Sequence, residues 1–280
     1  MITDNHTNAV YFSSLLPKNC PMLCTHIEAV LKNHGVTYAY LSGTKDIWCR
    51  DYMPVQIESN RLVFFKYTPD YLQDQRGRHL QTNSEEVFYV EANRLRPFLD
   101  NSISIDLVID GGNVVKCGDT IVMTEKVFIE NKGKSRSEVE HILREAFQCD
   151  ITFLPWDRKE RFGHSDGIVH YAGNNRVLLT NYDDSSLYYF NRFRKLLEKR
   201  FEVIPLRYHA KRRHARSWAY INFLQVGNLI LVPQLGFEED KQAFEQIGNA
   251  LPGCEVAGIP AIEAVRRGGA LNCISWNIKN

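Results

Sequence analysis

The feature that most constrains the fold of this chain is a pattern that returns about every 50 to 60 residues. In each instance a short apolar stretch runs into polar residues. The polar positions are Asp51, Asp110, His164, Asn222 and Cys273. A near-fixed period in this range is typical of repeated supersecondary units. The spacing therefore predicts five units of similar structure.

The apolar stretches around these positions predict β-strands, because they are short and rich in Val, Ile, Leu and Phe. Those that precede the polar positions are 36–43, 103–109, 151–155, 201–206 and 254–259. Those that follow are 61–67, 120–125, 176–181 and 229–233. Each unit therefore places polar residues at one end of a strand.

Amphipathic helices are predicted between the strands. In the stretch 137–147, apolar residues recur at the three- and four-residue spacing of one helix face. Ser137 and Glu140 there match the pattern of a capping box. Further helices are predicted over 25–34, 186–200 and 240–250, and Gly35 is expected to end the first of these.

Five strand-and-helix units could be arranged in two ways. If they close into a ring, the polar strand ends converge on one central site, with the helices outside. The repeat does not by itself require closure, so an open α/β sheet remains the alternative.

Composition excludes several classes of protein. Lys plus Arg number 34 against 33 for Asp plus Glu, a net charge of +1, whereas a general nucleic-acid binder carries a basic excess. The run 207–216 holds five cations and is expected to be a solvated surface, with polyanion binding as its alternative.

Apolar runs are too short to span a membrane. The seven cysteines are not spaced as a disulfide scaffold and the start of the chain lacks a secretory pattern, so a cytoplasmic location is expected.

The polar positions combine a thiol, an imidazole and carboxylates. Cys273 needs a proton partner to become a nucleophile, and His164 can provide one. Carboxylates such as Asp51 and Asp166 would raise the pKa of the thiol, which is unfavourable unless the substrate is a cation. A guanidinium is planar and pairs bidentately with carboxylates. Its positive charge would offset the effect of the carboxylates and stabilise the thiolate. The residue types therefore predict a guanidino substrate.

Five motifs in order resemble the agmatine deiminase and bacterial peptidylarginine deiminase family of guanidino-group-modifying enzymes. The motifs are DIWCRDYMP (46–54), DGGN (110–113) with TE at 124–125, GHSDG (163–167), the Asn of AYINF (219–223) and GGALNC (268–273). The resemblance implies a pseudo-symmetric α/β propeller of five units, a pentein-like fold. Residues 1–280 would form a single domain with a central active site.

The same resemblance implies roles for individual residues. Cys273 would be the nucleophile and His164 the general acid and base, and Asp51 and Asp166 would bind the guanidinium. The positions expected to line or brace the substrate site are Asn222, Glu125, Asp110, Trp48 and Gly269. Each also has a structural alternative: Cys273 as a core thiol, Asp110 as a turn residue, Trp48 as a core side chain.

The predicted reaction is hydrolytic deimination that releases ammonia and a ureido product. Agmatine, converted to N-carbamoylputrescine for polyamine synthesis, is the first expected substrate. The alternatives are deimination of free or peptidyl arginine to citrulline, amidino transfer to an amine, and non-catalytic binding of a guanidino ligand. No metal or organic cofactor, no nucleic acid and no membrane is expected as a partner, and the assembly could be a homodimer.

Overall fold

The computed structural model describes residues 1–74, 77–98, 101–209 and 215–280. Within them, fifteen strands form five three-stranded sheets. The strands are β1 (Ala9–Ser13), β2 (Thr37–Leu41), β3 (Val55–Glu58), β4 (Arg61–Lys66), β5 (Ile103–Val108), β6 (Val115–Cys117), β7 (Thr120–Thr124), β8 (Asp150–Leu154), β9 (Val169–Tyr171), β10 (Arg176–Leu179), β11 (Glu202–Pro205), β12 (Leu224–Val226), β13 (Leu229–Gln234), β14 (Glu255–Pro260) and β15 (Ser275–Ile278).

Helices connect the second and third strands of most sheets. The α-helices of the described residues are α1 (Leu16–Asn19), α2 (Pro21–Asn33), α3 (Cys49–Tyr52), α4 (Ser84–Val90), α5 (Ala92–Leu95), α6 (Lys126–Glu130), α7 (Arg136–Phe147), α8 (Leu187–Leu197), α9 (Glu239–Ala250) and α10 (Ile262–Val265). None of these helices combines the length and the apolar composition needed to cross a membrane.

The five sheets share one plan. β6 and β7 form an antiparallel hairpin, and β8 returns after α7 to pair in parallel with β7. The other sheets repeat this antiparallel–parallel pattern, and in four of the five the antiparallel pair is a hairpin followed by a helical crossover. The central strands β7 and β13 are almost entirely buried, because sheets pack on one side and helices on the other.

The first sheet is built from both ends of the chain. β15 pairs antiparallel with β1, with Ala9 opposite Ile278 and Phe12 opposite Ser275, and β1 pairs in parallel with β2. Adjacent sheets touch through their first strands, as β6 does with β9 and β12 with β15. The structure is therefore the five-unit α/β propeller that was predicted, and the open-sheet alternative is wrong.

The polar positions lie in the loops that carry the chain from one sheet to the next. Asp110, for example, follows the third strand of one sheet, β5, and precedes the first strand of the next, β6. All nine predicted strands are present. The first strands, such as β6 and β9, were not predicted, because three residues leave too little alternation to detect.

The predicted capping box is displaced by two residues. Helix α7 begins after Ser135, whose side chain accepts the backbone N–H of Glu138, while the carboxylate of Glu138 accepts the N–H of Ser135. Ser137 and Glu140 match the same pattern but lie inside the helix. The segment SRSE, residues 135–138, is therefore the true capping box, and the overlapping match at Ser137 and Glu140 is a false one.

Candidate active site

Three of the five polar segments open onto one cavity of about 690 Å³. His164, Asp166, Asn222 and Cys273 line it. Asp51 and Asp110 join the group through direct contacts with His164. The structure therefore brings all five predicted polar positions together, as a closed ring requires.

His164 lies between two carboxylates. Its Nε2 is 2.9 Å from Oδ2 of Asp110, and its Nδ1 is 3.5 Å from Oδ1 of Asp51. Burial alone would lower the pKa of His164, but Asp51, Asp110 and Asp166 together raise it to about 10. The ring is therefore an imidazolium at neutral pH and can act as a proton donor.

The glycines of the DGGN motif allow this close approach. The backbone N–H of Gly112 donates to Oδ1 of Asp51 at 3.1 Å. A Cβ at this position would lie 2.6 Å from both Oδ1 of Asp51 and Nδ1 of His164. Any other residue would therefore push the carboxylate and the imidazole apart.

Lys126 lies behind Asp110 and was not predicted as a site residue. Its ammonium donates to Oδ2 of Asp110 at 2.8 Å, and its side chain is 0% exposed. Burial alone would raise the pKa of Asp110, but the hydrogen bond from His164 and the charge of Lys126 hold it below its ordinary value. Nothing in the sequence signals a buried lysine, because this residue type is normally exposed.

The Asp51 carboxylate titrates differently. Burial raises its pKa to about 7, helped by the neighbouring Asp110 and Asp166 and opposed by His164. A cation bound beside Asp51 would reverse this shift. The empty site is thus charged in a way that favours a cationic ligand.

Neutral amides hold the Cys273 side of the site. Oδ1 of Asn222 accepts the backbone N–H groups of Cys273 and Ala270, each at 3.2 Å, and its Nδ2 donates to Asp166 at 2.9 Å. Asn272 donates to the same Asp166 Oδ2 at 2.8 Å. Both ends of the Asn222 amide are therefore engaged within the protein, where they align Asp166 and Cys273. Asn222 also lies in the cavity lining, so its contact with substrate stays a prediction.

The thiol of Cys273 lies 3.7 Å from Oδ2 of Asp166. Burial, together with the charges of Asp166 and Asp51, raises its pKa well above the ordinary value. The empty site therefore holds a protonated thiol, as the sequence argument from neighbouring carboxylates predicted.

Trp48 and Gly269 pack against each other beside the nucleophile. A Cβ on Gly269 would lie 2.4 Å from the Trp48 ring and 2.9 Å from Cβ of Cys273. The space that Gly269 leaves is therefore occupied by the indole of Trp48. Both residues position the Cys273 loop.

Glu125 does not join the site. Its carboxylate pairs with Arg136 at 3.0 Å on the surface and is 39% exposed. Thr124 and Lys126 on either side are fully buried, so the chain directs these two inward and Glu125 outward. The prediction that Glu125 is a site residue is therefore wrong, and its neighbour Lys126 reaches the centre instead.

The outer cavity is acidic and aromatic. Beyond the reacting groups its lining residues include Asp157, Glu160 and Asp184, with Lys159 as a single lysine in the described lining. Aromatic walls are supplied by Phe162, Tyr182, Tyr189 and Trp218. The centre of the basic run, residues 210–214, lies outside the described residues, and Ala215 just after it lines the cavity.

The sequence profile of Porphyromonas-type peptidyl-arginine deiminases matches residues 16–278. The chain belongs to this family. A relative from Lactococcus lactis subsp. lactis, provisionally named an agmatine deiminase, is 23% identical over 216 residues, 63% of this chain and 58% of the relative. The chain thus aligns with less than two thirds of the length of that relative.

Solved structures share the fold. Agmatine deiminase from C. jejuni superposes with a TM-score of 0.73 over 100% of this chain and 95% of its own, at 17% identity. A cysteine-to-serine mutant of DDAH from Pseudomonas aeruginosa, complexed with citrulline, superposes with a TM-score of 0.64 over 97% of this chain and 99% of its own, at 14% identity. At these identities the likeness establishes the five-unit fold of this family.

Proposed function

We propose that the protein is a cysteine-dependent hydrolase that deiminates a guanidino substrate. The observation that supports this is one cavity lined by a thiol, an imidazolium and the Asp166 carboxylate, with the Asp51 carboxylate directly beside the imidazolium. Without a cationic ligand the raised pKa of Cys273 keeps its thiol protonated, and the raised pKa of Asp51, about 7, leaves that carboxyl only partly ionised. A bound guanidinium corrects both conditions, because its charge stabilises the carboxylates and the thiolate together.

The chemistry follows from the placement of these groups. Asp51 and Asp166 hold the guanidinium, and its charge lets the thiol proton leave to solvent. The thiolate of Cys273 attacks the central carbon, and His164 gives its proton to the departing nitrogen, which leaves as ammonia. The product of this half-reaction is an S-alkylthiouronium on Cys273.

The second half-reaction returns the enzyme to its starting state. His164, now neutral, takes a proton from water, and the resulting hydroxide adds to the thiouronium carbon. The C–S bond breaks, and the departing thiolate of Cys273 takes up the remaining hydroxyl proton, which restores the thiol as the ureido product is released. One imidazole therefore serves as acid and then as base, and its raised pKa favours the first of these roles.

The outer cavity bears on the rest of the substrate. Asp157 and Glu160 give the outer cavity a negative charge that attracts a cation, and its aromatic walls suit an alkyl chain. This combination favours agmatine, which carries an ammonium at its far end. The volume of about 690 Å³ exceeds what a small diamine fills, and favours arginyl peptides as the second candidate.

A screen for ammonia release tests the proposal. The panel is agmatine, free arginine, arginyl peptides and simple guanidines, each with the Cys273→Ala variant as the blank. We expect agmatine to give the largest kcat/KM and free arginine a much smaller one. Ammonia release from no guanidine, or equal release by Cys273→Ala, would contradict the proposed function.

A further inference from the structure

The side chain of Lys126 is fully buried beside the reaction centre. Its Nζ lies 2.8 Å from Asp110, 2.5 Å from Glu130 and 3.4 Å from Asp70. A buried ammonium is unfavourable unless it is paired. The chain nevertheless places one here, next to the carboxylate that holds His164, although a neutral side chain would fill the same space.

The two bonds made by Asp110 converge on one oxygen. Oδ2 accepts from both Lys126 Nζ and His164 Nε2, while Oδ1 is buried and has no hydrogen-bond partner within the described residues. The carboxylate could therefore rotate about its last bond if only the imidazole held it. The ammonium of Lys126 favours the single orientation in which Oδ2 faces Nε2.

The surroundings of this pair are predominantly acidic. Asp51 and Asp166 face His164 from the cavity side, with Asp46 beyond Asp51. The ring of Tyr71 lies 5.2 Å from Nζ of Lys126 and 6.2 Å from the His164 ring, and Tyr67 contacts Tyr71. Within the described residues, Lys126 is the fixed cation next to Asp110, with Glu130 and Asp70 on its far side.

We propose that Lys126 is a positioning residue that locks the Asp110 carboxylate against Nε2 of His164 and so fixes the imidazole with Nδ1 towards Asp51. The inference rests on the proposed function, since the orientation of His164 has a kinetic consequence only if His164 transfers protons. Glu130 and Asp70 lie against the ammonium on its opposite side. They contact Lys126 and do not contact the imidazole.

The charge of Lys126 gives the proposal a signature that packing alone would not give. Removal of a cation raises the pKa of every titrating group nearby, and removal of an anion lowers it. Lys126→Met should therefore move both limbs of the pH–kcat/KM profile to higher pH. Glu130→Gln, which removes a carboxylate and leaves the Lys126–Asp110 contact, should move them to lower pH.

The first experiment compares these two variants and their combination. We expect Lys126→Met to lose at least about tenfold in kcat and to shift its limbs upward by roughly one pH unit. Glu130→Gln is the matched control and should keep kcat within about threefold. The double variant Lys126→Met/Glu130→Gln leaves no unpaired charge buried at position 130. It therefore serves if the single lysine variant fails to fold, and it should show the same loss in kcat.

A double variant with kcat within threefold of wild type overturns the proposal. So do pH limbs that move in the same direction in both single variants.

A double-mutant cycle with Asp110 separates positioning from a general charge effect. In the Asp110→Asn background Lys126 no longer has the Asp110 carboxylate to position, so Lys126→Met should change kcat by less than about twofold there. A full tenfold loss in that background would show that Lys126 acts by another route.

The second experiment does not depend on turnover. Iodoacetamide alkylation of Cys273 is followed against pH by mass spectrometry of the tryptic peptide 268–279. Lys126→Met should raise the midpoint of alkylation and Glu130→Gln should lower it. If the wild type releases ammonia but the alkylation midpoints of all variants coincide, the role of Lys126 is refuted and the proposed function stands. If no guanidine is hydrolysed but the midpoints diverge as stated, the proposed function fails. In that case the effect of Lys126 on the titration of Cys273 still stands.

Discussion

The two sides of the reaction centre are held by different forces. His164 lies among charges, with Asp51 and Asp110 against its nitrogens and Lys126 behind. Cys273 lies among amides: Asn222 holds its backbone and, with Asn272, fixes the adjacent Asp166. We call these the ionic side and the amide side.

The difference matches what each group has to do. An acid–base residue needs a defined protonation state, which neighbouring charges set. A nucleophile needs a defined position, and amide hydrogen bonds keep their strength across the working pH range because amides do not titrate. Variants on the ionic side should therefore change pH profiles, and variants on the amide side should change rates at every pH.

The largest effect is expected at the nucleophile itself. Cys273→Ala should reduce ammonia release by roughly three orders of magnitude or more, because no other group can form the covalent intermediate. Its melting temperature should stay close to that of the wild type, since the Asn222 bonds are made to backbone N–H groups that alanine retains. Turnover near the wild-type rate would refute the covalent mechanism.

The pH profile tests the ionic side. The pKa of Asp51 is raised to about 7, so binding of the cation should be lost as the pH falls through that value. The pKa of His164 is raised to about 10, so the proton donor should be lost as the pH rises through it. The kcat/KM profile should therefore be a bell with limbs near these values, which belong to the coupled cluster.

Asp51→Asn should then abolish the acidic limb and reduce kcat/KM by about a hundredfold, because the guanidinium loses one charged partner. Asn272→Ala is the control from the amide side, and it should leave both limbs in place. An acidic limb that persists unchanged in Asp51→Asn would assign the limb to another group.

Asn222→Ala tests the amide side. It leaves the N–H groups of Ala270 and Cys273 without their acceptor and removes one of the two amide donors to Oδ2 of Asp166, which should cost about 1–3 kcal/mol in the free energy of unfolding. kcat should fall about tenfold as the thiol loses its alignment, with both pH limbs unmoved. Denaturant unfolding measures the change in stability, and kcat across a pH series measures the change in rate. A displaced pH limb would contradict the distinction between the ionic side and the amide side.

The smallest effect is expected at Glu125, the acidic residue that the sequence placed in the site. Its pair with Arg136 is exposed, so Glu125→Gln should change the free energy of unfolding by less than about 1 kcal/mol. kcat/KM should stay within about twofold of wild type. A tenfold loss would return Glu125 to the site and contradict its surface position.

The repeat predicted most of the fold because strands and helices of ordinary length leave clear patterns. The strand β13 and the helix α9, for example, lie within a few residues of the stretches 229–233 and 240–250. The short strand β6 could not be predicted, since its three residues pair only because the rest of the unit positions them. The capping pattern at Ser137 shows the same limit, because two overlapping matches differ only in tertiary context.

The site residues could be predicted where the residue type itself limits the possible chemistry. They could not where the role depends on which side chains point inward and which partners they meet. A thiol and an imidazole at matching unit ends suggested Cys273 and His164 without a structure. Lys126 escaped notice because a lone lysine in sequence is normally a surface residue, and only its neighbours make it a buried cation. Asn222 was expected to contact substrate, but the hydrogen bonds of an amide can be assigned only from three-dimensional positions.

The pairing of β15 with β1 also orders the events of folding. The contacts between Ala9 and Ile278 have nearly the largest sequence separation in the chain, and contacts of that kind carry a high loop-closure cost. The loop of Cys273 leads directly into β15, so the thiol reaches its partners only when that last strand docks. A chain whose other four sheets have already formed would still lack its nucleophile, which makes the onset of thiol reactivity a kinetic marker for the closing of the ring.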